Sequence, residues 1–141
     1  HGQQPPGLCW ARGVDTSYGS MTAGAAGALA ILDYAAKRPF KKDPVIQKGT
    51  DWLNSHFSVT SNPGYSDPSV GHHYYLYALE RFGMLVGTEK IGNHDWYAEG
   101  AEFLLGSQQP DGSWKNMVDT TCFAILFLKR KTQPIIQTGT K

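Results

Sequence analysis

Two short stretches of this chain hold most of the side chains that could take part in chemistry. Residues 72–77 read His-His-Tyr-Tyr-Leu-Tyr, and residues 119–122 read Asp-Thr-Thr-Cys. Histidine and tyrosine rings can line a cavity and contact a ligand or a partner, and aromatic rings can also stabilise a cation. The candidate cavity-lining residues are therefore His72, His73, Tyr74, Tyr77, Asp119, Thr120, Thr121 and Cys122.

Each stretch also has an interpretation without chemistry. Tyrosine and histidine bury an apolar ring while the polar tip reaches a hydrogen-bond partner, so residues 72–77 can serve packing alone. Asp119 or Thr120 can act as the N-cap of a following helix, where the helix dipole favours a carboxylate. A helical cysteine such as Cys122 is often simply a small hydrophobic residue.

Other residue patterns with known chemistry are absent from the sequence. There is no glycine-rich phosphate-binding loop, and the segment around Ser20 lacks the glycine that must follow the serine of a nucleophile elbow. The sequence therefore predicts no cofactor. Its formal net charge of +1 and the absence of a Lys/Arg stripe argue against nucleic acid as a partner. The longest wholly apolar run, residues 122–128, is far shorter than the ~18 residues of a membrane span.

Helices must position these side chains, and hydrophobic periodicity together with proline and glycine positions predicts five of them. The predicted helices are Ser20 to about Ala36, Pro44 to His56, Val70 to about Val86, Asn93 to Gly106, and Asp119 to Lys131. Ser20 is the predicted N-cap of the first helix. The second and fourth helices have one apolar and one charged face, whereas the fifth is apolar around its whole circumference and the first nearly so. Because a helix that is hydrophobic all round is buried on all sides, we predict inner helices one, three and five and outer helices two and four.

A unit of about 50 residues recurs along the chain, as in stacked helical repeats. Residues 3–10 contain the order Gln-Gln-Pro, Gly, Trp that recurs in residues 108–114. Residues 48–53 match residues 99–104 at a separation of 51 positions. The predicted architecture is therefore a row of helical hairpins that bury their inner faces against one another.

The second copy of this unit resembles a known motif. Residues 100–114 follow the pattern Gly-x-x-Phe-Leu-x-x-x-Gln-x-x-x-Gly-x-Trp, which resembles the QW motif of squalene and terpene cyclases and is related to repeats of the protein prenyltransferases. The matching residues are Gly100, Phe103, Leu104, Gln108, Gly112 and Trp114. The resemblance implies an all-α fold, a partial arc of an α/α toroid with inner and outer helices. The repeat domain would span residues 1–131, and residues 132–141 would form a loosely ordered tail.

The resemblance also assigns roles to individual residues. Gln108 is expected to hydrogen-bond backbone groups at a helix terminus while it packs on the Trp114 ring, and Gly112 is expected to allow a tight turn. In these families functional groups lie at the N-terminal ends of inner helices, facing an apolar cavity. When Asp119 and Thr120 are aligned on the cyclase acid motif, Val118 and Asn116 stand at its acidic positions, so no catalytic residue is predicted.

A prenyltransferase-like zinc site is the alternative use of the same helix end. Asp119, Cys122 and His72 (or His73) supply the ligand types that zinc accepts in tetrahedral geometry. The order Asp-x-x-Cys differs by one residue from the Asp-x-Cys of the prenyltransferases, and we therefore expect no metal.

The resemblance leads to a prediction about function. We expect a non-catalytic repeat domain of a larger protein that binds an apolar small molecule or a protein partner. The protein partner would be the remainder of a longer repeat chain or a second copy, because an arc with few hairpins leaves an apolar helix face uncovered. Two alternatives are an enzyme of the cyclase or transferase type, whose catalytic groups lie upstream of His1, and a purely structural assembly module.

Overall fold

The computed structural model describes residues 17–136 and consists mostly of α-helix. Its helices are α1 (Gly19–Ala35), α2 (Pro44–Ser55), α3 (His72–Val86), α4 (Trp96–Ser107) and α5 (Val118–Lys129). A 3-10 turn at Phe40–Lys42 comes before α2, and the antiparallel strands β1 (Lys90–Ile91) and β2 (His94–Asp95) come before α4. The predicted all-α class is confirmed, apart from this two-residue ribbon. Over the described residues, none of the helices has the length and apolarity needed to cross a bilayer.

Three helices form a row in which α3 lies between α1 and α5. We call α1, α3 and α5 the inner row. Helix α2 packs on α1, while α4 packs on α3 and α5. The core lies between these helices, and its largest fully buried side chains include Trp96, Tyr75, Phe40, Phe82 and Phe127.

The loop before α3 joins the starts of α1 and α3. The buried side chain of Asn62 accepts a hydrogen bond from the Ser20 backbone N–H at 2.9 Å and donates to the Val70 carbonyl at 3.1 Å. The Gly19 N–H donates to the Pro63 carbonyl at 2.8 Å. The prediction that Ser20 is the N-cap is therefore wrong, because α1 begins one residue earlier and the loop supplies the acceptors for its free N–H groups.

The start of α5 lies at the same end of the inner row. The ring of Phe123, near the start of α5, contacts the ring of Tyr74, near the start of α3, at a centroid distance of 5.5 Å. At the opposite end, the Arg130 Nε lies 3.2 Å from the sulfur of Met84. The helices of the row therefore run in the same direction, and their N-terminal ends lie together.

The residues of the QW-like motif form the turn between α4 and α5. Trp114 is 3 % exposed, and its indole N–H donates to the carbonyl of Leu104 in the last turn of α4 at 2.8 Å. Gln108 instead donates to the Gly112 carbonyl at 2.9 Å, and Gly112 has a φ of 87°. The predicted hydrogen-bond partner of Gln108 is therefore wrong. The Trp114 indole donates to the free carbonyl at the end of α4, whereas the Gln108 side chain closes the turn itself. The left-handed φ explains why glycine stands at 112.

An Asp-x-Ser turn before the inner helices is a repeat that the sequence reasoning missed. Asp67 and Asp111 each accept from the backbone N–H of the serine two residues later, at 3.1 and 2.9 Å, and from its hydroxyl, at 2.7 Å in both turns. These hydrogen bonds hold the pKa of both carboxyl groups below the usual value. The signal was visible in the sequence, because residues 15–17, 67–69 and 111–113 all read Asp-x-Ser.

Helix α5 departs from its prediction in two ways. It begins at Val118 with Met117 as the N-cap, so neither Asp119 nor Thr120 is the cap; the Asp119 carboxylate accepts from the Thr120 N–H at 2.7 Å. The helix is also not buried on all sides. Thr120 and Ala124 are buried, but Val118 is 83 % exposed, because neighbouring helices cover only one side of α5.

The segment after α5 is held along α3 as far as Ile135. The Thr132 hydroxyl donates to the buried Glu80 carboxylate at 2.7 Å, and the Ile135 N–H donates to the Leu85 carbonyl at 3.1 Å. These hydrogen bonds lie within the first residues of the tail expected from 132 to 141, and residues 137–141 lie outside the described part of the chain.

Candidate functional site

His72 lies at the start of α3 and has a structural role. It is 4 % exposed, and its Nε2 forms a hydrogen bond of 2.8 Å with the carbonyl of Val59. Its ring lies 5.1 Å from the ring of Phe103, so a motif residue of α4 contacts this end of α3. Burial lowers the pKa of His72 and favours the neutral ring. Packing, rather than ligand contact, accounts for this histidine.

His73 is buried next to it, and the two rings lie 5.0 Å apart edge to face. It is 6 % exposed, and within the described residues its Nε2 has no hydrogen-bond partner. Burial, together with the nearby His72 and Lys115, lowers the pKa of His73 to about 4, while Asp119 opposes this shift. The ring is therefore neutral at pH 7.

We expect this histidine to make the free energy of unfolding depend on pH. In the unfolded chain His73 takes up a proton at its ordinary pKa of 6.5, whereas in the folded chain it does so only near a pKa of about 4. Its contribution to stability is therefore complete above pH 6.5 and is lost as the pH falls through 4. Urea unfolding followed by circular dichroism across this range measures the loss. The variant His73→Phe, which cannot take up a proton, should show a shallower pH dependence; an unchanged slope would contradict this role of His73.

The second candidate stretch lies on a different surface. Asp119 is exposed, and the thiol of Cys122 is free and exposed. The Thr121 hydroxyl accepts from the Trp114 N–H at 3.0 Å, so Thr121 holds the turn of the QW-like motif against α5. Thr121 and Cys122 line a shallow depression of about 330 Å³ together with the loop before α5, and Asp119 lies outside it.

The candidate zinc ligands do not form a site. Among residues 17–136, no three His, Cys, Asp or Glu side chains lie together in a way that could hold a metal ion. His72 already uses Nε2 for the Val59 carbonyl, and Cys122 lies in the exposed depression at the start of α5. Asp119, Cys122 and His72 therefore do not fit a shared zinc ion.

Tyr74 and Tyr77 do share a surface. They line a groove of about 220 Å³ between α1 and α3, with small residues such as Gly24 on the α1 side and Arg81 on the α3 side. Tyr74 is 45 % exposed, and the Tyr77 ring stacks on Phe123 of α5. Gly24 and Arg81 were missed by the sequence reasoning. Helical spacing was the available signal, since Arg81 lies four residues after Tyr77 and on the same helix face.

Exposed apolar side chains are concentrated on the inner row. Large hydrophobic residues that are more than a third exposed include Ile31, Leu32 and Tyr34 on α1, Tyr74 on α3, and Val118, Ile125 and Leu126 on α5. Helices α2 and α4, which we call the outer helices, each carry one exposed large hydrophobic residue, Val45 and Leu105. Val118, Cys122 and Ile125 follow each other at helical spacing on the side of α5 away from the core, and we call this face the α5 edge.

The candidate residues thus fall into three places: a buried histidine pair, an apolar groove between α1 and α3, and an exposed surface at the start of α5. Compared with protein-family models, curated proteins and solved structures, the chain has no match.

Proposed function

We propose that this chain is a non-catalytic helical-hairpin module of the terpenoid-cyclase and prenyltransferase type, and that it functions by docking to a further helical repeat through its inner row. The repeat would belong to a longer chain or to a second copy. The observation that carries the proposal is the concentration of exposed apolar side chains on α1 and α5, the two helices that end the row.

The arrangement within the chain supports docking of this kind. Helix α3 has a neighbour on both sides and is buried over most of its surface, whereas α1 and α5 each have an inner-row neighbour on one side. Full burial of an exposed Val or Ile side chain contributes about 1.5–3 kcal/mol. The α5 edge, with Val118 at 83 % and Ile125 at 44 % exposure, therefore gains stability when another helix covers it.

The polar groups at the N-terminal end of the row support a role without catalysis. An acid that protonates an alkene needs a raised pKa and supporting neighbours. Asp119 is exposed, and its carboxylate accepts a hydrogen bond from the backbone of its own helix. His73 is held neutral by burial.

The test is self-association of the purified chain, measured by size-exclusion chromatography with light scattering over a range of concentrations. We expect the wild-type chain to form dimers or larger species, and the double variant Val118→Asp, Ile125→Asp to be monomeric. Leu105→Asp is the matched control, because Leu105 is 63 % exposed on the outer helix α4 and should leave association unchanged. A monomeric wild-type chain at all concentrations would rule out a second copy as the docked repeat, and equal effects of α5-edge and α4 variants would overturn docking through the α5 edge.

A further inference from the structure

We propose that the groove between α1 and α3 binds a single free molecule of a long-chain carboxylate. The hydrocarbon chain would lie between the two helices, and the carboxylate would bind Arg81. This site is separate from the α5 edge. The groove has a volume of about 220 Å³, and among its described lining residues Arg81 is the one charged side chain. The other described lining residues are glycines and alanines, the aliphatic side chains of Ile31 and Leu85, and the rings of Tyr74 and Tyr77.

The depth of the groove depends on small residues of α1. A Cβ atom placed on Gly24 would meet nothing within 4 Å, so the space beside this residue is open. Gly27, one turn further along, lies against Leu85 and Phe82 of α3. Ala78 lines the groove from α3 and is only 4 % exposed, so the wall that it forms is apolar and lies below the surface. Each CH₂ group that enters such a groove raises the affinity about fourfold.

Arg81 supplies the charge that selects the head group. Its Nη1 lies 3.4 Å from the Tyr77 hydroxyl, and its guanidinium carbon lies 5.8 Å from the centroid of the Tyr77 ring. The ion pairs found within residues 17–136 are Arg38 with Asp33 and His94 with Glu99. Arg81 therefore has no carboxylate partner in this part of the chain, and a ligand anion at the mouth of the groove would provide one.

The number of cations favours a carboxylate over other anions. A guanidinium binds a carboxylate through two parallel hydrogen bonds and balances its single charge. Within residues 17–136 no second cation lines the groove, so a phosphate or diphosphate would retain uncompensated charge there. Attachment to an anionic membrane depends on a cluster of basic residues, which a single arginine does not provide. The expected ligand is therefore a free carboxylate monomer.

Isothermal titration calorimetry of the whole chain with decanoate, below its critical micelle concentration, tests the head group. We expect saturable binding of one decanoate and an affinity at least about tenfold lower in Arg81→Gln, because a hydrogen-bonded charge pair is lost. Decanol should bind the wild type and this variant equally. Tighter binding of decyl phosphate than of decanoate, or equal decanoate affinity in Arg81→Gln, would overturn the proposal.

A second pair of variants tests the groove itself. Gly24→Leu places a side chain in the open space, and we expect it to abolish decanoate binding while the far-ultraviolet circular dichroism stays unchanged. Gly106→Leu is the matched control, because Gly106 lies in α4 and a Cβ atom there also meets nothing within 4 Å. Unchanged binding in Gly24→Leu, or equal loss in both variants, would contradict a site between α1 and α3. The light-scattering test of the α5 edge is independent of both outcomes.

Discussion

Trp114→Ala is expected to lower the free energy of unfolding by about 3–5 kcal/mol, the usual cost of truncating a buried aromatic side chain. The ring is 3 % exposed and lies between the end of α4 and the start of α5. The substitution also removes the indole donor to the Leu104 carbonyl, which additionally accepts from the Ser107 hydroxyl at 3.2 Å. Urea unfolding followed by circular dichroism measures the loss without relying on tryptophan fluorescence.

Trp52→Ala is the control for this substitution. Trp52 is a half-buried tryptophan of α2 whose ring stacks on the exposed His56. Because less of its surface leaves water on folding, we expect a loss of about 1–2 kcal/mol. Equal losses for Trp52→Ala and Trp114→Ala would show that burial at the QW-like turn is not what stabilises the contact between α4 and α5.

Gly100→Ala and Gly49→Ala are expected to change stability in opposite directions, although the two glycines occupy matching positions in residues 99–104 and 48–53. A Cβ atom on Gly100 would overlap the ring of Phe127, which is fully buried and stacked on Tyr97, so we expect a loss of about 1–3 kcal/mol from overpacking. A Cβ atom on Gly49 would meet Ala26 at 3.5 Å, an ordinary contact. There the higher helix propensity of alanine should stabilise the fold by about 0.5–1 kcal/mol.

Thermal and urea unfolding of the two single variants measure this difference directly. Both variants make the same chemical change in the middle of an outer helix, so the effect on the unfolded chain is the same and cancels in the comparison. Stabilisation by both substitutions would mean that Phe127 moves away easily. Destabilisation by both would mean that Gly49 is as tightly packed as Gly100.

The helices themselves could be predicted well from the sequence, because their signals are local. Helix α2 begins at Pro44 as predicted, since Asp43 accepts hydrogen bonds from the first turn and proline suits the first helical position. Helix α4 begins three residues later than predicted. Gly92 and Asn93 form the turn between β1 and β2, and a Gly-Asn pair is a recognised hairpin signal, so the predicted helix start at Asn93 is wrong.

The candidate site was predicted less well, because its geometry depends on contacts between distant residues. The sequence predicts that His72 and Tyr74 lie at the same end of one helix. It does not predict that their side chains point to opposite sides of that helix. Helix α3 turns His72 toward Phe103 of α4 and Tyr74 toward Phe123 of α5, and this rotation is set by the neighbours of α3 in the row. The acceptor of the Ser20 N–H at the start of α1 could not be predicted for the same reason, since Asn62 lies 42 residues from Ser20.

The position of Asn62 has a consequence for how the chain unfolds. In arrays of independent repeats, each unit contacts only its immediate neighbours and can fray from one end. Here the buried side-chain amide of Asn62 binds both the first turn of α1 and the loop that leads into α3. The first turn therefore cannot open without leaving unsatisfied polar groups in that loop. The amide protons of Gly19 and Ser20 should therefore exchange with solvent as slowly as those in the middle of α3, and α1 should melt together with α3 as one cooperative unit.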